Sequence, residues 1–164
     1  MKRILLGALC VMVLPLAQAI TIDFGTQWDK SNLPSQVLGF EGGTFSDKGD
    51  IAGLLNSKAG TSFSASEIFK TDKPAEVDDQ FAVPEGWNYL VVQYDGPNGG
   101  SVVIQLGGAG ALVPYESYDI WGGNSEQYKV SHYAVAGAVP DAGTTAALLG
   151  LGLLGVGFLG RRKA

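Results

Sequence analysis

The sequence predicts an all-β domain, a small antiparallel β-sandwich or jelly-roll-like body over residues 20–138, held between two apolar ends of different kinds. Three observations point there. Short apolar runs alternate with clusters of Gly, Asn, Asp, Ser and Pro, which is the punctuation of β structure. Convincing helical periods are few. One pair of runs, residues 87–94 (WNYLVVQY) and 101–106 (SVVIQL), is dense in β-branched and aromatic side chains and is separated by turn chemistry.

The elements follow in chain order. Ile20, Ile22 and Phe24 alternate with Thr21 and Asp23, so residues 20–24 read as a first strand with one apolar face. Residues 37–40 and 51–55 read as weaker strands. Residues 66–70 read as a weaker strand again, or as a helical turn capped by Ser64 or Ser66. The 87–94 and 101–106 runs form an antiparallel hairpin. Their loop is Asp95-Gly96-Pro97-Asn98-Gly99-Gly100, in which proline fixes φ and Gly and Asn tolerate positive φ. Residues 107–110 are glycine-rich and read as a bend or bulge. A last strand spans 128–136, with Tyr128, Val130, His132 and Ala134 on one face and Lys129, Ser131, Tyr133 and Val135 on the other. About seven short strands with repeated turn signals suit a two-sheet body.

The ends carry targeting chemistry. Residues 1–19 read as a secretory signal peptide: Lys2 and Arg3, an apolar run over 4–16 interrupted only by Pro15, then Ala17-Gln18-Ala19 as a small-x-small cleavage site. Cys10, the one cysteine, lies inside that run, so the mature body has no disulfide available to it. Residues 20–139 hold six lysines, no arginine and fifteen acids, a formal charge of −9. So acidic a body excludes a nucleic-acid partner, which demands a basic surface.

Residues 139–164 have three parts. Val139-Pro140-Asp141-Ala142-Gly143 is a short polar motif. An uncharged Leu- and Gly-rich stretch of 17 residues follows at 144–160, and Arg161, Arg162 and Lys163 close it. Seventeen residues sit at the short end of what spans a bilayer as a helix. The basic cluster orients that stretch with its end on the cytoplasmic side. This order resembles the PEP-CTERM class of sorting signals, and more closely its VPDSG-CTERM variant. Val139, Pro140, Asp141 and Gly143 match the motif, and Ala142 stands where the family has serine. The resemblance implies recognition by an exosortase-like membrane protease and transient anchoring in the inner membrane. It further implies cleavage near the motif and delivery to the cell surface or extracellular matrix, in bacteria that make exopolysaccharide. A second resemblance, to small ectodomains of the same class, rests on Trp87, Tyr89, Leu90, Gly96 and Ser131-His132, and implies no activity.

The inventory for chemistry is thin. His132 is the one histidine, it falls inside a strand, and no nucleophile-elbow motif accompanies it. Asp78 with Asp79, or Glu116 with Asp119, are formal carboxylate pairs for glycoside hydrolysis. Calcium is the cofactor the composition allows: Asp72, Glu76, Asp78 and Asp79 crowd one loop, Asp47 and Asp50 flank another, and Asp95 shares the hairpin loop with Asn98. No EF-hand spacing is present. Tyr115, Tyr118 and Trp121 fall in a polar, Gly-rich stretch with Glu116, Asp119 and Asn124, the composition of a glycan-contacting surface; Trp28 sits in another polar segment. The expectation is a non-enzymatic exported protein with a structural or adhesive role in the envelope or exopolysaccharide. The alternatives are a carbohydrate-binding module using the loop aromatics and, third, a small glycan-acting enzyme.

Overall fold

The computed structural model describes residues 19–22, 34–96, 99–118 and 127–139. Among these residues the chain is mostly β, as expected, with nine strands and one α-helix. The strands are β1 (Ile20–Thr21), β2 (Val37–Gly42), β3 (Phe69–Asp72), β4 (Gln80–Val83), β5 (Trp87–Asp95), β6 (Gly100–Gln105), β7 (Ala111–Pro114), β8 (Glu116–Tyr118) and β9 (Gln127–Ala138). They build two sheets. The larger runs β2-β6-β5-β9-β3, with β8 also paired to β9; the smaller runs β1-β7-β4. Every pairing is antiparallel except that of β1 with β7.

The predicted hairpin is the centre of the larger sheet. Tyr89 to Tyr94 pair in unbroken register with Gln105 to Gly100. Residues 90–94 are all buried because both faces of β5 are covered. Leu90, Val92 and Tyr94, with Val102 and Ile104 of β6, face the smaller sheet and meet Phe81, Val83, Ala111, Val113 and Ile22 in one core. Phe81 stacks on Tyr133 at 5.3 Å between ring centroids. Val91 and Val103 point the other way, into a second core.

That second core is closed by the helix α1 (Lys48–Ala59), which corrects the expectation of a strand at 51–55. Ile51, Ala52, Leu54 and Leu55 recur at helical spacing and pack on Val91, Val103, Ala134 and Ala136. Two small alanines on β9 leave room for the helix. The Asp47 carboxylate caps the N-terminus, accepting from the backbone N–H of Gly49 at 2.8 Å and of Asp50 at 2.9 Å. Gly60 ends the helix in the left-handed region, at φ 65°. The run over 66–70 divides: Ala65–Glu67 is a 3-10 turn capped by Ser64, and β3 starts at Phe69.

A second correction concerns β9. Its alternation is not continuous. Gln93 pairs with His132 but Tyr94 pairs with Val130, so Ser131 is an extra residue, a β-bulge. The bulge resets the faces. Tyr128, Val130, Tyr133 and Val135 all enter the core between the sheets, while Ala134 and Ala136 face the helix. The bend expected at 107–110 is present, with Gly107 and Gly108 at positive φ.

Candidate functional site

The end of β9 is where the motif of residues 139–143 meets the folded body. Ala138 pairs with Trp87, and the Val139 N–H donates to the Gly86 carbonyl at 2.8 Å, so the ladder runs into the first residue of the motif. The Val139 side chain lies against Gly108. No spacer therefore separates the domain from the motif. Pro140, Asp141, Gly143, Arg161, Arg162 and Lys163 lie outside the described residues, as do the stretch 144–160 and the proposed signal peptide up to residue 18. Among the described residues no helix is long and apolar enough to cross a membrane.

The histidine sits in a buried polar cluster. The bulge turns His132 toward the helix side, where its Nε2 lies 2.8 Å from the Phe45 carbonyl. A carbonyl only accepts, so Nε2 carries the proton and Nδ1 accepts from the Ser131 hydroxyl at 3.0 Å. Burial is the main reason that the imidazole pKa falls below its ordinary 6.5; Lys70 adds to this, while the Phe45 carbonyl, Asp72 and Asp95 oppose it. Gln93 completes the cluster. Its Oε1 accepts from the Phe45 N–H at 3.1 Å and the Ser101 hydroxyl at 2.6 Å, and its Nε2 donates to the Gly43 carbonyl at 3.2 Å. Together Gln93 and His132 tie the segment before the helix to the middle of the sheet. Sequence reasoning did not single out Gln93; its one signal is a polar residue in the middle of an otherwise buried run.

The acids are dispersed. Asp72 lies on β3, its carboxylate 2.8 Å from the Lys70 ammonium, and that hydrogen bond lowers its pKa. Asp78 and Asp79 form a two-residue hairpin turn between Val77 and Gln80, both at positive φ, a left-handed conformation that aspartate tolerates better than most residues. Asp47 caps the helix. Glu116 pairs with Lys129 at 2.9 Å across β8 and β9. Among the described residues no three of His, Cys, Asp and Glu gather as a metal site.

Of the loop aromatics, Tyr115 is half-buried against the core between the sheets. Tyr118 lies on β8, where only its backbone is described; Trp121 and Trp28 fall outside the described residues. An open cleft of about 500 Å³ lies elsewhere, between β3, β4 and β7. Phe81 and Tyr133 line it together with Pro74, Val77 and Leu112, and Thr71, Asp78 and Gln80 supply its polar groups.

Residues 138–163 match the family model described as the VPDSG-CTERM motif. No curated protein and no solved structure matches the chain. The match covers the tail alone, and such a tail marks an exported protein sorted by an exosortase-like enzyme.

Proposed function

We propose that this chain, which carries a VPDSG-CTERM sorting tail, is a non-enzymatic protein of the cell surface or extracellular matrix with a structural or adhesive role in the exopolysaccharide. The tail is the observation that carries the reading. Residues 144–160 hold the precursor in the inner membrane, with Arg161, Arg162 and Lys163 on the cytoplasmic side. An exosortase-like protease cuts near Val139 to Gly143 and passes the body outward. The acidic, cysteine-free body suits a soluble extracytoplasmic life, stabilised by two apolar cores rather than by disulfides.

Deleting residues 144–164 tests this in cells that lack the processing enzyme. The full chain is expected in the membrane fraction and the truncated chain outside the cell, free of the membrane. Identical partitioning of the two chains would show that the tail is not an anchor.

A further inference from the structure

The two ends of the described body leave it at one pole. The Ile20 N–H donates to the Gly110 carbonyl at 2.8 Å, and Ala19 lies beside Gly110. Gly110 also abuts the Val83 carbonyl and the Glu85 backbone. One residue further on, the Gly86 N–H donates to the Gly108 carbonyl at 2.9 Å, and the Gly86 carbonyl accepts from Val139. The loops over 84–86 and 106–110 thus gather the chain's entry and exit. In segments 84–88, 106–111 and 136–139 Glu85 is the one ionisable side chain, in a body of formal charge −9. Beside the pole stands an aromatic pair, Phe69 (53% exposed) against half-buried Trp87, at 4.9 Å between ring centroids.

We infer that this pole faces the lipid headgroups while the precursor is anchored, so that the domain stands on the membrane with β5 and β9 upright. The inference rests on the sorting reading above and adds an orientation to it. The tether decides the geometry. Four residues separate Val139 from Thr144, the start of the apolar stretch. Fully extended, that connection reaches roughly 17 Å. Asp95, at the far end of β5, lies roughly 26 Å from Trp87 along the strand. The far end is where Asp95 pairs with Lys129 and Lys129 bridges Glu116, so the charged pole points away from the bilayer. An anionic surface repels an acidic protein, and the pole with the fewest charges approaches it at least cost. Aromatic side chains such as Trp87 favour the interface.

The test uses the exported precursor, residues 20–164, which holds no cysteine of its own, reconstituted in vesicles of phosphatidylethanolamine and phosphatidylglycerol that carry a headgroup nitroxide. Single cysteines at Glu85→Cys and Asp95→Cys bear a fluorophore, with Ala109→Cys and Lys129→Cys as second probes of the same two poles. The protein is expected to float with the vesicles, and the labels at 85 and 109 to be quenched several-fold more than those at 95 and 129. Flotation with equal quenching at both poles, or with stronger quenching at 95 and 129, would overturn the orientation while leaving the anchor intact. Failure to float would overturn the anchor, and the orientation with it.

Discussion

A single imidazole links the pH response of this domain to its fold. His132 is held neutral by burial, its Nε2–H committed to the Phe45 carbonyl. Its folded pKa lies below the ordinary 6.5, so between those two values the unfolded chain binds more protons than the folded one. Stability is therefore fully present above about pH 6.5 and falls as the pH drops toward the lowered value. Asp47, Glu67 and Asp72 also have lowered values, but from starting points at or below 4.5, so their contribution is lost in a more acidic window. His132→Gln keeps an amide donor for Phe45 and removes the titration. Thermal melts between pH 7 and 5 are expected to show a falling midpoint in the parent and a flatter profile in the variant. An equally steep fall in the variant would place the titrating group elsewhere. Gln93 is the larger structural commitment at this site, since removing it takes the partner from the half-buried Phe45 N–H and the buried Ser101 hydroxyl together.

At the scale of elements, the helix α1 gives the larger sheet its second covered face. Leu55 is fully buried between the helix and β5, β6 and β9. Leu55→Ala is expected to destabilise the domain by about 3 kcal/mol, measured by denaturant unfolding, because a cavity is left behind. A cost under about 1 kcal/mol would mean that the helix packs loosely and contributes little. This helix also marks where sequence legibility ended. The β5–β6 hairpin was readable because its turn and its β-branched runs agree locally. Residues 51–55 looked like a strand because Gly53 splits a short apolar run; the Asp47 cap and the Gly60 stop, which bound the helix, were the missed signals. The Ser131 bulge was not readable at all. Nothing local in YKVSHYAVA announces the extra residue, which is fixed by pairing with Gln93 and Tyr94 some forty residues earlier. The same holds for the site. The tail motif is contiguous and was legible from its residues. The polar cluster around His132 joins Gly43, Phe45, Gln93, Ser101 and Ser131, a grouping that only the folded sheet makes.

For the whole molecule, the body and its tail are one continuous structure up to Val139. β9, which pairs with the central strand of the larger sheet, ends directly in the sorting motif, and Val139 is bonded to Gly86. An exosortase-like enzyme that recognises the tail therefore meets a motif that starts at the edge of a folded domain. The proposed function requires both apolar ends to belong to the precursor and not to the finished protein. Intact mass of the protein recovered from the matrix of cells that hold the processing enzyme tests this most directly. The mass is expected to correspond to a chain that begins at Ile20 and ends within or just after residues 139–143. A mass equal to that of the complete 164-residue chain would contradict it.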